Sequence, residues 1–183
     1  HSNSIRVLPP NRWFDGGDER FRPGNILISS RSLSTVFIID RVSGEVVWKY
    51  SEGLDHQHEA EMIPRGHSGE GLIMVFDNGR DNLNAYRSTV VKAFDPVSGK
   101  VEWDYSSEYF YSTIGGTAQL LPNENVLITS SHGGRAFEIL GNGRIVWEWT
   151  PPFKPMRLLR LAPDHCPQLA GLMPERKTKI LPE

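Results

Sequence analysis

Two imidazoles stand two residues apart in His56-Gln57-His58, and the same spacing recurs in His1-Ser2-Asn3. Alternate residues of a strand share a face, so each pair can present two polar heads to one side. Arg31, Asn78 and His132 each stand at or just past the end of a short apolar run. Neutral imidazole acts as a nucleophile or base near pH 7. Arginine offers a planar fork of donors matched to an oxyanion, and the two amides add neutral donors. Gathered in one place, His1, Asn3, Arg31, His56, His58, Asn78 and His132 describe a receptor for a small tetrahedral anion such as sulfate or phosphate. Transfer of that group would use one imidazole as the attacking atom, the rest stabilising the developing charge. A histidine at a strand end is more often a structural polar group, and His132 fits that reading better than the site, whereas for His56-Gln57-His58 and His1-Ser2-Asn3 the two readings stand even. Alternate imidazoles can bind a metal, but no Asp, Glu or Cys joins them in the same columns, so no metal is assigned.

What must position these residues is a repeated unit. Gly44-Glu45-Val46-Val47-Trp48, Gly99-Lys100-Val101-Glu102-Trp103 and Gly143-Arg144-Ile145-Val146-Trp147 are three versions of one turn and strand. Each follows an apolar strand, Thr35–Asp40, Thr89–Asp95 or Arg135–Leu140, and the Asp-x-Val-Ser-Gly turns have hairpin chemistry. Two further strands precede each hairpin: His1–Pro9 and Asn25–Arg31, His56–Pro64 and Leu72–Asn78, Ile114–Pro122 and Asn125–His132. Pro9, Pro64 and Pro122 each end a first strand, where the missing donor is tolerated. Four-stranded units recurring at about 40–50 residues are the signature of β-propeller blades. Three blades do not close a ring, so the expected fold is an all-β propeller fragment. Its expected blades are 1–53, 54–110 and 111–153, followed by an irregular C-terminal tail, 154–183.

Within this repeat, His1, His56 and Ile114 align in one column and Asn3, His58 and Gly116 in the next. First strands line a propeller's channel, so these columns are expected to face one another across it. Glu59 and Glu61 are expected to alternate away from His58, solvated or packed between blades. Trp48, Trp103 and Trp147 are expected to be buried between blades. The polar insertion Pro10–Pro23 reads as a loop able to cover one mouth of the channel, and 174–183 as a frayed end.

Composition narrows the function. A formal charge of −2 with interspersed signs provides no field for nucleic acid or an anionic membrane surface. No apolar run approaches the roughly 18 residues that span a bilayer. One cysteine, Cys166, cannot form an internal disulfide or a cysteine zinc site. The chain opens at His1 without Met or a signal peptide, so a longer parent protein is expected.

The motifs His1-Ser2-Asn3-Ser4-Ile5, Asn25-Ile26-Leu27-Ile28-Ser29-Ser30-Arg31 and Ser43-Gly44-Glu45-Val46-Val47-Trp48 resemble the bacterial arylsulfotransferase family. Gln57-His58, Val75-Phe76-Asp77-Asn78-Gly79 and Leu121-Pro122-Asn123-Glu124-Asn125-Val126-Leu127-Ile128 extend the resemblance to about Phe153. The resemblance implies a six-bladed propeller, a periplasmic or secreted location, and transfer of a sulfuryl group from a phenolic sulfate ester to a phenol. It implies no nucleotide donor and no other cofactor. By the same resemblance His58 is the transiently sulfated histidine, His1 and Asn3 contact the sulfuryl group, and Arg31 binds sulfate. A further family histidine belongs to an earlier blade, outside this sequence. The alternative class is a non-catalytic propeller that binds an anionic ligand or a protein.

Overall fold

The computed structural model describes residues 1–79, 89–162 and 165–169. It contains three four-stranded antiparallel meanders and almost no helix, an all-β propeller-like fragment. The first sheet runs β1 (Ser2–Val7), β2 (Ile26–Ser30), β3 (Thr35–Ile39) and β4 (Val46–Tyr50). The second runs β5 (His58–Met62), β6 (Ile73–Asp77), β7 (Val90–Phe94) and β8 (Val101–Tyr105). The third runs β9 (Thr117–Leu120), β10 (Val126–Ser130), β11 (Arg135–Ile139) and β12 (Ile145–Trp149).

The sheets stack face on face, which explains the continuous apolar run of β6. Its Ile73 and Val75 enter a core shared with Leu27, Val36, Ile38 and Trp48 of the first sheet. Its Met74 and Phe76 enter a second core with Ala118, Ile128, Phe137 and Ile139 of the third. A strand covered on both faces cannot alternate apolar and polar. Each such fully buried side chain contributes about 1.5–3 kcal/mol. The last hairpins of the first two sheets are locked by one device. Asp40 Oδ1 accepts from the Val42 and Ser43 amides, and Asp95 Oδ1 from those of Val97 and Ser98. Gly44 and Gly99 then take φ of 75° in both turns, a conformation only glycine adopts freely.

Stacking also repeats between blades. Trp48 Nε1–H donates to the Pro96 carbonyl at 2.9 Å, and Trp103 Nε1–H to the Gly141 carbonyl at 3.2 Å. Each indole thus ties its sheet to the last turn of the next. Burial is nevertheless uneven, contrary to the expectation for all three tryptophans. Trp48 is 7% exposed, Trp103 is half-buried and Trp147 is 37% exposed. The insertion's Phe21 adds to the cover of Trp48, whereas Trp147 lies on the outer face of the last sheet.

One further segment differs from expectation. Residues 10–23 form a short helix, α1 (Arg12–Asp15), and a 3₁₀ turn rather than an open loop. Asn11 caps α1 through the Trp13 and Phe14 amides, Phe21 is fully buried, and Trp13 Nε1–H donates to the Gly71 carbonyl. That carbonyl lies in the β5–β6 connection, the opposite end of β5 from His58, so the insertion does not cover the histidine end. The tail is irregular, as expected, and runs back along the third sheet. The Ser131 hydroxyl donates to the Met156 carbonyl, the Leu158 amide to Thr129 Oγ1, and the Arg160 backbone exchanges two hydrogen bonds with the Gln119 amide. Alternate residues are anchored, as an extended strap requires. The expectation for 174–183 lies outside the described residues. No helix among the described residues is long and apolar enough to cross a membrane.

Candidate functional site

The first strands of sheets one and two carry the same irregularity, and it shapes the site. In β5, His58 pairs with Phe76 and Ala60 with Val75, so Glu59 is an extra residue, a β-bulge. In β1 the register slips likewise between Ser2 and Ser4, at Asn3. Phe76 and Val75 lie on opposite faces of β6, so the bulge puts His58 and Ala60 on opposite faces too. His58 thereby joins the face of Glu61, whose partner is Met74. The expectation that Glu61 alternates away from His58 fails at this bulge. Glu59 adopts φ of 45°, and His56 and Ser34 nearby take 55° and 45°. Left-handed backbone at non-glycine residues is strained and characteristic of functional sites.

The third sheet has Gly116 in the column of Asn3 and His58. Its φ is 117°, and a Cβ there would collide with the Phe76 ring. Glycine at this position lets the Phe76 ring pack against the backbone of the third sheet.

A cavity of about 350 Å³ is walled by His1, Asn3, His58, Glu59, Gly115, Gly116, Thr117 and Arg157 among others. A larger cleft of about 630 Å³ runs along β4 and the β7–β8 turn but contains no histidine. The smaller cavity holds the chemistry. Behind it stands Asn78, fully buried, just beyond the end of β6. Asn78 Nδ2 donates to the carbonyls of Ser112 and Gly115 at 2.6 and 2.9 Å. Both amide hydrogens are thus spent, and Oδ1 faces His58 Nδ1 at 2.6 Å. An amide oxygen only accepts, so Nδ1 of His58 carries the hydrogen and Nε2 keeps its lone pair. Burial pushes the His58 pKa below its ordinary value, and the nearby charge of Arg31 adds to the effect. The Asn78 hydrogen bond and the His56 carbonyl oppose it without cancelling it. His58 is therefore a neutral imidazole of defined tautomer at pH 7.

The other residues expected in the site divide into two groups. His1 and Asn3 share the cavity wall with His58. Asn3 Nδ2 donates one hydrogen to the Gln57 carbonyl at 2.8 Å. Arg31 opens the 3₁₀ turn after β2, its amide donating to the His1 carbonyl. Its guanidinium makes no hydrogen bond or ion pair among the described residues, and it acts on His58 through its charge. His56 pairs with Asp55 at 2.7 Å, and its amide donates to Ser34 Oγ. His132 is exposed, bonded to Thr113 Oγ1 at 2.6 Å, and stands outside the cavity wall. Asn78 lies behind His58 rather than in the wall.

Sequence reasoning did not find Arg6, Thr117 or Arg157, nor the role of Glu59. Glu59 is 4% exposed, with one carboxylate oxygen bound by Arg6 and the other by Arg157. Burial pushes the carboxyl of Glu61 upward, Glu59 adding to the rise and Arg6 opposing it. Asn3 Oδ1 and Thr117 Oγ1, both on residues of the cavity wall, are buried without a hydrogen-bond partner among the described residues. Two such atoms in one wall mark a place where a polar guest would be bound. Among the described residues, no three His, Cys, Asp or Glu side chains gather as a metal site.

Comparison with known proteins agrees with the repeated unit. Residues 1–151 match the family described as Arylsulfotransferase (ASST). A search among curated proteins finds no match. A protein of unknown function from Bacteroides caccae is similar in structure, at 15% identity and a TM-score of 0.49. The similarity covers 82% of this chain and 46% of that one, so the chain spans about half the length of that relative. With a match over all twelve strands, the chain belongs to the arylsulfotransferase family.

Proposed function

We propose that the cavity transfers a sulfuryl group from a phenolic sulfate ester to a phenol, with His58 Nε2 as the nucleophile. The observation that supports this most is the Asn78 side chain, which spends both hydrogens on backbone carbonyls and so can only accept from His58 Nδ1. In the first step the Nε2 lone pair forms a bond to sulfur while the sulfur–oxygen bond to the aryl group breaks. The departing phenolate takes the bonding pair. In the second step the acceptor's phenolic oxygen attacks sulfur, the nitrogen–sulfur bond breaks with its pair returning to Nε2, and the acceptor's proton passes to water. Neutral imidazole returns.

A sulfate ester repels an incoming lone pair through its oxygens, so cations and donors must surround them. Arg31 supplies a guanidinium near His58, unpaired among the described residues, and His1, Asn3 and Thr117 supply polar groups in the wall. His56 and His132 stand further out, where each can shape the approach of the aryl part. No nucleotide donor or cofactor enters this reaction.

The test uses the full-length protein with an aryl sulfate and a phenol. Initial rates should give parallel double-reciprocal lines, because the first product leaves before the acceptor binds. His58→Ala should abolish release of the aryl alcohol. Turnover by that variant at the wild-type rate would overturn the assignment.

A further inference from the structure

A buried carboxylate in the wall of a site for an anion needs an explanation. Glu59 lies beside His58 in the sequence and in the cavity wall, and an unneutralised charge there would repel a sulfate. Two guanidiniums answer it, but they have different origins. Arg6 comes from β1 of the neighbouring sheet. Arg157 comes from the tail, 98 residues along the chain, and binds the other carboxylate oxygen.

The strap delivers it by simple geometry. Met156, Leu158 and Arg160 are held on the third sheet and the loop after β10 through their backbone groups. In an extended segment the residue between two such anchors points the other way. Arg157 is that residue, and it reaches both Glu59 and the cavity wall. Two cations over one carboxylate leave this wall net positive. Glu61, the other carboxyl nearby, is pushed by burial toward its neutral form.

We propose that Arg157 sets the specificity of the site for anions by neutralising Glu59, so the tail strap is part of the binding site. The proposal rests on the sulfuryl-transfer reading of the same cavity. Arg157 acts on the charge of the wall and is a positioning residue, not the nucleophile's partner. Its influence is similar on bound donor and transition state, so it belongs to KM more than to kcat.

The test measures binding of inorganic sulfate by calorimetry and turnover of 4-nitrophenyl sulfate, both on the full-length protein. Arg157→Ala should weaken sulfate binding and raise KM about 10- to 100-fold, with kcat changed less than about threefold. Arg157→Lys should keep most of the binding. In a Glu59→Gln background, adding Arg157→Ala should cost clearly less sulfate affinity than it does beside Glu59, since only the guanidinium's own charge is lost and no bare carboxylate is exposed. That pair of variants also removes the bare buried charge, so it remains informative if Arg157→Ala alone melts early. Unchanged affinity in Arg157→Ala would overturn the proposal. An equally large loss between the Glu59→Gln single and double variants would overturn it too, because Arg157 would then contact the anion itself. Sulfate binding in the expected pattern without any transfer would sink the transferase reading and leave the charge role standing. Transfer with no Arg157 effect would do the reverse.

Discussion

His58 Nδ1 and Asn78 Oδ1 lie 2.6 Å apart, His58 opening β5 and Asn78 following β6, the adjacent strand of the same sheet. Because Asn78 donates twice to backbone carbonyls, its oxygen sets which imidazole nitrogen is free. Replacing Asn78 by Asp would put a carboxylate against Nδ1, favouring the imidazolium. The pKa of His58 should rise by about 1–3 units. The acid limb of the kcat/KM profile should move to higher pH by the same amount. An unmoved limb would show that His58 is not the titrating base.

The same imidazole makes stability depend on pH. Burial holds its folded pKa below the unfolded value of 6.5. The unfolded chain therefore binds the proton more readily in the window between the two values. The stabilising contribution is complete above about pH 6.5 and is lost as pH falls through the folded pKa. Urea unfolding of wild type and His58→Gln should diverge in slope only on the acid side of that value. Parallel pH dependence of the two would remove His58 as the cause.

The tryptophans make an uneven series. Trp48→Ala should cost about 3–5 kcal/mol, since it empties a core site and frees the Pro96 carbonyl. Trp147→Ala should cost about 1 kcal/mol or less, because its ring is over a third exposed. Denaturant midpoints of the two variants check the order. Equal losses would mean that the outer face of the third sheet is covered more fully.

Much of this fold was legible in the chain. The Gly-x-x-x-Trp turns and the proline-ended first strands mark four-stranded units, because hairpin chemistry and strand ends are local. Register was less legible. A bulge at a non-glycine residue has no sequence signature, and the simple alternation read through Glu59 sent Glu59 and Glu61 to the wrong faces. The share of the site contributed by distant segments was not legible either. Arg157 reaches Glu59 only because residues 156–160 fold back along the third sheet, anchored by Thr129, Ser131 and Gln119. His1, Asn3 and His58 were found together because a repeat places equivalent positions of adjacent blades side by side.

Gly116 tests the packing of Phe76 against the third sheet. Alanine there would meet the Phe76 ring from a backbone of φ 117°. Both strain and overpacking act, so a loss of about 2–4 kcal/mol is expected. Thermal unfolding measures it, and a wild-type melting temperature would show that Phe76 can move aside. A truncated ring in Phe76→Leu should restore part of the loss, since it relieves the collision but not the backbone strain.

The nitrogen that carries the transferred group decides the central claim most directly. Full-length protein mixed with an aryl sulfate and no acceptor, then quenched in alkali, should retain one SO₃ group on His58. Peptide mapping by mass spectrometry locates the residue, and NMR of the labelled imidazole distinguishes its nitrogens. The account predicts the adduct on Nε2 of His58, with Nδ1 still bonded to Asn78. An adduct on Nδ1 or on another residue, or turnover with no adduct on His58, would contradict it.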